Sequence, residues 1–353
     1  MLIQNDNELA EFCKSIKHKN ILFLDTEFDR KNTYYSKLSY LSVFDGHKFW
    51  IIDALSKINL DILKEVISNK KIIKVIHGSQ QDLEIFNNLQ IKIEPLFDTQ
   101  IAAQFCGYEQ PISYSNAVDK VCKIKLNKDL QNSDWLKRPL DKKTADYLKN
   151  DVKYLKKLYT FFYKQLKKNK NLKFFYEEME NLNNTNKILS TSAIRKKLSS
   201  QTINKNKFQQ LLKIRENIAS SKNLPKNWIF KDDRIHDIIK KQNFKDIKEN
   251  QNLTTNEKKL IIKTFKSIKI INAKKKFFNK NIINIINIFK SEVSKKYQIS
   301  EQLISNKNDI KNYIENNIKK ESKWRENIFY KITDKLLTKE IKIKINKNKI
   351  LFY

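Results

Sequence analysis

Cysteine, glycine and proline are scarce in this chain of 353 residues, which has three, three and four of them. Cys13, Cys106 and Cys122 are odd in number and show no paired zinc-ligand spacing. That argues against a disulfide framework and a zinc site, and it fits a reducing compartment. No apolar run approaches the ~18 residues of a membrane span. The opening stretch Met1-Leu-Ile-Gln-Asn-Asp-Asn-Glu-Leu9 carries acids where a secretory signal has a basic end and an apolar core. A soluble, cytoplasmic protein without a membrane partner is expected.

Lysine, by contrast, is abundant, and the formal net charge is +32. Residues 1–165 carry 26 Lys/Arg against 21 Asp/Glu, whereas residues 166–353 carry 45 against 18. The chain is also rich in Asn and Ile, so part of the excess reflects compositional bias and charge alone is a soft argument. Its lopsided placement still points to a polyanionic partner, nucleic acid foremost.

The length suits two or three domains, and a hydrophobic content of 40% supports real cores. Ile21–Phe28 is an apolar run ending in acids and reads as a buried strand. Ser39–Phe44 and Lys48–Asp53 flank Asp45-Gly46, a hairpin signal. Lys71–His77 reads as another strand, Asp82–Leu89 shows helical spacing, and Asp98-Thr-Gln-Ile-Ala-Ala103 opens like a capped helix. An α/β domain over residues 1–165 is expected. Residues 166–199 read as a polar helix or linker. From 200 to 285 apolar residues recur at helical spacing, as in Phe208, Leu211, Leu212, Ile214 and Ile218, which predicts an all-α bundle. Within the basic stretch 286–353, Leu337–Phe352 alternates Lys with Ile and suits a strand or a helix.

Four acids in three segments stand out: Asp25 and Glu27, Asp82, and Asp151. Asp25 and Glu27 are two apart, so on a strand they share one face, with no basic neighbour before Arg30. Such like charges repel unless a cation intervenes, although an isolated Asp-x-Glu is more often solvated or salt-bridged. Asp82 falls in the first turn of a helix Ser79–Leu89, where the dipole favours a carboxylate whatever its function. In a helix Thr144–Phe161, Tyr147, Leu148, Asp151, Val152, Leu155 and Leu158 form one stripe. An acid inside an apolar stripe is costly unless paired or metal-bound. Tyr147 lies one turn before it on the same face. Four carboxylates brought together can hold two divalent cations, and two such cations can cut a phosphodiester bond.

In this order the segments resemble the three motifs of the DEDD exonuclease superfamily, with Tyr147 and Asp151 matching its Tyr-x-x-x-Asp version. The histidine version needs a His five residues before the acid, where this chain has Asp146. Leu24-Asp-Thr-Glu-Phe28, Asp98-Thr-Gln-Ile-Ala-Ala103, Ser133-Asp-Trp-Leu-Lys-Arg-Pro139 and Ala145-Asp-Tyr-Leu-Lys-Asn-Asp-Val152 look specifically like bacterial ribonuclease D. The likeness covers residues 1–160. It implies an RNase H-like fold and a 3′→5′ exoribonuclease releasing 5′-nucleotides. By motif, Asp25, Glu27, Asp82 and Asp151 would hold two Mg²⁺ or Mn²⁺ ions roughly 4 Å apart. Tyr147 would orient the attacking water, its neutral phenol being a poor base near pH 7. Three neighbours are expected near the substrate: Phe28 against the terminal base, His77 at the scissile end, and Arg138 on a phosphate. A core role for Phe28 and a structural role for His77 compete with these. Trp135 is expected to pack.

Leu212-Lys-Ile-Arg-Glu-Asn-Ile-Ala-Ser-Ser-Lys-Asn-Leu-Pro-Lys-Asn-Trp-Ile-Phe-Lys-Asp-Asp-Arg-Ile235 resembles the helicase-and-RNase-D C-terminal domain, HRDC, a small helical bundle. Here Asp232 or Asp233 is expected to cap a helix, with Trp228 and Ile229 in the core. Residues 286–353 occupy the place of a degenerate second such domain. The basic half is expected to guide RNA by phosphate contacts, with a solvated bundle whose lysines reflect composition as the competing reading, and structured RNAs such as tRNA precursors are the expected substrates. Rival readings are a DNA-directed 3′→5′ exonuclease, which uses the same Tyr-x-x-x-Asp arrangement, and an inert RNA-binding protein on a nuclease scaffold.

Overall fold

The computed structural model describes residues 1–126, 133–185, 205–267, 280–338, 340–346 and 349–352. Two compact units emerge. The first, the sheet unit, contains residues 1–27 and 39–184 together with the described residues from 280 onward; the second, the helical unit, contains residues 28–38 and 205–267.

In the sheet unit the apolar run behaves as its composition demands. Leu22, Phe23 and Leu24 are buried within β2 (Ile21–Asp29), a central strand of a six-stranded mixed sheet. The other strands are β1 (Leu2–Ile3), β3 (Lys37–Phe44), β4 (Phe49–Asp53), β5 (Ile73–Ile76) and β6 (Leu96–Asp98). Their order is β1-β4-β3-β2-β5-β6. β2 runs parallel to β5, and β5 parallel to β6. β3 and β4 form the expected antiparallel hairpin, with Phe44 opposite Phe49. At its turn Gly46 takes φ +95, and the Asp45 carboxylate accepts from the His47 and Lys48 amides at 2.8 and 2.7 Å.

Helices α1 (Asp6–Ile16), α2 (Lys64–Ile67), α3 (Gln80–Asn88), α4 (Thr99–Gln104) and α5 (Tyr114–Cys122) accompany the sheet. The stripe expected on one helix is divided between α6 (Lys142–Lys153) and α7 (Leu155–Lys168), with a break at Tyr154. α7 buries Leu155, Leu158, Phe162 and Leu166.

The expected domain boundaries shift. α8 (Leu172–Thr185) falls where a linker over 166–199 was expected, yet Phe175 and Met179 belong to the main core. The part of that stretch from 186 to 199 lies outside the described residues, as do 200–204, 268–279, 339, 347, 348 and 353 of the later regions. A helix at Lys280–Tyr297 crosses the boundary drawn at 285. Ile286, Phe289, Val293, Trp324, Ile328, Phe329 and Tyr330 join the same core as β2 and α7. Apolar side chains between Ile282 and Leu336 are therefore part of the sheet unit's core, which a sequence comparison with separate bundles does not convey. The Lys/Ile alternation resolves as a hairpin, β7 (Ile343–Asn346) against β8 (Lys349–Phe352), so the C-terminal region is helical but not wholly so.

One ion pair secures this arrangement. Arg325, 1% exposed, donates to both oxygens of Glu178 on α8, at 2.6 and 2.8 Å. The Trp324 indole adds a third bond to Glu178 at 3.1 Å. Removing one partner strands the other charge in the interior. Glu178→Ala is expected to cost about 3–5 kcal/mol; denaturant unfolding measures it, and a loss below 1 kcal/mol would contradict a closed core.

In the helical unit Phe208, Leu211, Leu212 and Ile218 of helix Lys205–Lys222 pack with Ile229, Ile235, Ile238, Ile247, Ile261 and Phe265. Ile229 is fully buried as expected, but Trp228 is 44% exposed. Asp232 and Asp233 lie inside the first turn of helix Asp232–Lys241 and neither caps it; the capping position is Lys231. Asp232 instead pairs with the buried Arg215 at 2.7 Å. The segment 28–38 docks through Tyr34, whose hydroxyl donates to Glu216 at 2.9 Å. The Tyr34 and Tyr35 amides both donate to the side chain of Asn223, each at 3.1 Å. Among the described residues no helix is long and apolar enough to cross a membrane.

Candidate active site

Strand alternation places Asp25 and Glu27 on one face near the C-terminal end of β2. α6 brings Asp151 to them: Leu148 and Val152 are buried and fix the helix's inward face, leaving Asp151 half-buried beside it. Carboxylate oxygens of Asp25, Glu27 and Asp151 lie within 4.8 Å of one another. Three of the four acids are thus gathered in one group.

Asp82 stands outside that group but next to it. It is buried on α3 and accepts from the Thr26 hydroxyl at 2.7 Å. The turn that starts α3 is built with care for position. Gly78 takes φ +71, a left-handed conformation that suits glycine. Asp98 accepts from the amides of Gly78 and Ser79 at 3.0 and 2.8 Å, and from the Ser79 hydroxyl at 2.8 Å. It also caps α4 as expected, through the Gln100 and Ile101 amides.

The electrostatics call for a cation. Burial first, then the charges of Asp151, Glu27 and Asp82, push Asp25 well above the usual carboxylate range. Burial, Asp151 and Asp82 push Glu27 up to about 9. Burial raises Asp151 to about 7 against the opposing hydrogen bond of Tyr147. Burial raises Asp82 to about 6, with the Thr26 bond pulling the other way. No basic side chain contributes for Asp25 or Glu27. Hard oxygen donors that repel one another at this distance fit a divalent cation such as Mg²⁺ or Mn²⁺.

These acids have folded-state values above their unfolded ones of about 4. Their protonation favours the metal-free fold at low pH, and that contribution is lost as pH rises through about 6 to 9. Asp25→Asn removes one repelling charge, so in EDTA the variant should melt above the parent. The gap should widen from pH 5 to pH 9, to about 3 °C or more. A gap that is constant with pH would contradict the repulsion.

Tyr147 lies beside Asp151, and burial followed by the charges of Asp151, Glu27 and Asp25 raises its phenol above the ordinary value. Trp135 is buried in a small cluster with Tyr40, Ile51 and Leu148, its ring 5.9 Å from that of Tyr147. Phe28 is half-buried and belongs to the segment 28–38 of the helical unit.

Two expected substrate contacts are otherwise engaged. The ring nitrogens of His77 meet the Thr99 hydroxyl at 2.8 Å and the Ile112 carbonyl at 2.9 Å. A carbonyl can only accept, so Nε2 carries the proton; burial lowers the imidazole's pKa. The geometry favours a structural histidine. Arg138 gives Nε and Nη2 to the two oxygens of Asp53, at 2.9 and 2.7 Å, and Nη1 to the Trp135 carbonyl at 2.8 Å. Its guanidinium also lies 3.9 Å from the Tyr40 ring. These partners fix the 133–139 run onto the sheet.

Sequence reading missed three residues: Thr26, Asp98 in its tie to the 78–79 turn, and Tyr114. For Tyr114 no local signal exists, because its partners Asn150 and Tyr154 are 36 and 40 residues away.

The class follows from the sheet and its acids: the family model described as 3′-5′ exonuclease matches residues 1–167. The crystal structure of Escherichia coli RNase D shares the fold, with a TM-score of 0.77 over 96% of this chain and 98% of that one, at 22% identity. A Bifidobacterium adolescentis structure gives 0.66 over 96% of each chain at 15% identity. Among curated proteins, ribonuclease D of Sphingobium indicum is 34% identical over 245 residues, 67% of this chain but only 63% of its own length. The matched stretch thus spans less than two thirds of that relative. Ribonuclease D of a Shewanella species is 30% identical over 73% of this chain and 69% of its own length. That of Bartonella henselae is 28% identical over 99% and 93%. The chain belongs to the ribonuclease D family.

Proposed function

We propose that this protein is a metal-dependent 3′→5′ exoribonuclease that trims structured RNA, tRNA precursors among them, and releases 5′-nucleotides. The observation that carries the reading is the meeting of Asp25, Glu27 and Asp151 within 4.8 Å, with Tyr147 beside them. The name of the curated relatives and the description of the Escherichia coli enzyme as an exoribonuclease involved in structured RNA processing support it. Mg²⁺ or Mn²⁺ held by Asp25, Glu27, Asp82 and Asp151 would activate water and stabilise the leaving 3′-oxygen. Asp82 is held in place by Thr26. Tyr147 stays protonated at neutral pH, which suits a hydroxyl that orients water and does not take its proton. We place the protein in a reducing cytoplasm, which the three free thiols favour. The test is digestion of 3′-labelled RNA and of matched DNA, with Mg²⁺ and with EDTA. RNA-selective release of labelled mononucleotide, lost in EDTA, is expected. Preference for DNA, or binding without cleavage, would replace the reading with one of its rivals.

RNA guidance by the basic helical unit is the second part of the proposal. Lys259, Lys263 and Lys266 are exposed along helix Thr255–Ser267. None of them forms an ion pair with another described residue. Replacing all three by Ala should make the salt dependence of RNA affinity shallower by up to about 2 in the log–log slope, at ~0.7 per single-strand phosphate. An unchanged slope would leave these lysines as solvated surface. Substitution serves better than truncation near residue 190, which would strip Phe289, Trp324 and Phe329 from the main core.

A further inference from the structure

We propose that Tyr114 is the positioning residue for Asp151, acting through a single hydroxyl inserted into the helix that carries it; this rests on the exonuclease reading. In an unbroken α-helix the Tyr154 amide would donate to the Asn150 carbonyl, four residues back. Here the Tyr114 hydroxyl stands between them. It donates to the Asn150 carbonyl at 2.9 Å and accepts from the Tyr154 amide at 3.3 Å. A side chain placed in the hydrogen-bond ladder is a recognised cause of a sharp break in a helix. The break occurs at Tyr154, between α6 and α7.

Its place is what ties it to the chemistry. Asn150 immediately precedes Asp151, so the bond to the Asn150 carbonyl fixes the peptide unit joining the two residues. With the ladder opened there, α6 can set Asp151 toward Asp25 and Glu27 while α7 buries Leu155, Leu158 and Phe162. Tyr114 is itself held. Its ring lies edge to face with His77 at 5.6 Å, and His77 is fixed at both nitrogens. Electrostatic influence of Asp151 and Asp25 on the phenol, second to burial, shows how near it stands to the acids. The engagement of His77 thereby gains a purpose: it buttresses the ring that sets the metal ligand.

Tyr114→Phe in the full chain keeps the ring and its packing but lets Asn150 and Tyr154 bond to each other. Loss of a partner that orients metal ligands typically weakens metal affinity about 10–100-fold. Calorimetric titration with Mn²⁺ should show a loss near the lower end. The Mg²⁺ concentration for half-maximal cleavage should rise similarly, with the melting temperature in EDTA close to the parent's. A purely structural tyrosine would lower the melting temperature and leave Mn²⁺ affinity unchanged, and that result would overturn the proposal. So would a Tyr154 amide in the unsubstituted protein that exchanges with solvent as fast as an unbonded one, a measurement independent of how the variant folds. If the unsubstituted protein neither binds Mn²⁺ nor shortens RNA, the exonuclease reading has failed first; if it does both and Tyr114→Phe matches it, only the role of Tyr114 has failed.

Discussion

Asp25→Asn and Asp151→Asn should each lower turnover by about 10³-fold or more while the protein stays folded and still binds RNA. The magnitude follows from the several kcal/mol that metal-assisted charge stabilisation supplies, each 1.36 kcal/mol being a factor of ten. The direction follows from the cluster. Asp25, Glu27 and Asp151 crowd one another with no basic side chain among the influences on Asp25 or Glu27. A neutral amide relieves repulsion but gives up a ligand, so the same change that raises metal-free stability should remove activity. Single-turnover cleavage of 3′-labelled RNA measures one effect and melting in EDTA the other. Both variants cleaving at the parental rate would rule out the metal-centred reading.

Tyr147→Phe should lower turnover by about 10²-fold with Mn²⁺ affinity preserved, because only a hydroxyl beside Asp151 is lost. Its raised pKa keeps the phenol protonated through neutral pH. The rate deficit should therefore be the same at pH 6 and pH 8; a deficit that grows with pH would make the phenolate a base. The contrast with Tyr114→Phe separates the two tyrosines, since one change should reduce the rate at saturating metal and the other the affinity for metal.

Features that depend on neighbours in the chain were legible in the sequence. The apolar run before Asp25 gives β2, Asp45-Gly46 gives the hairpin, and an acid in an apolar stripe marks Asp151. Features that depend on distant partners were not. Arg138 reads as a free cation until Asp53, 85 residues away, takes its guanidinium. His77 reads as a reactive end-of-strand histidine until Thr99 and Ile112 occupy both nitrogens. The stripe from Tyr147 to Leu158 has helical spacing throughout, yet it is divided at Tyr154, where the hydroxyl of the distant Tyr114 bonds the Asn150 carbonyl and the Tyr154 amide. Composition also misled: lysine-rich residues beyond 280 resemble a separate basic region, yet Phe289, Tyr313, Trp324, Phe329 and Tyr330 among them belong to the main core.

On the exonuclease reading, Asp25, Glu27, Asp82 and Asp151 direct metal-dependent removal of nucleotides from an RNA 3′ end. The most direct measurement follows a 5′-labelled RNA through time, with the unsubstituted protein and with Asp25→Asn, in Mg²⁺ and in EDTA. A ladder shortening one nucleotide at a time from the 3′ end is expected, with the unsubstituted protein in Mg²⁺ alone. Internal fragments, or an equal ladder in EDTA, would contradict it.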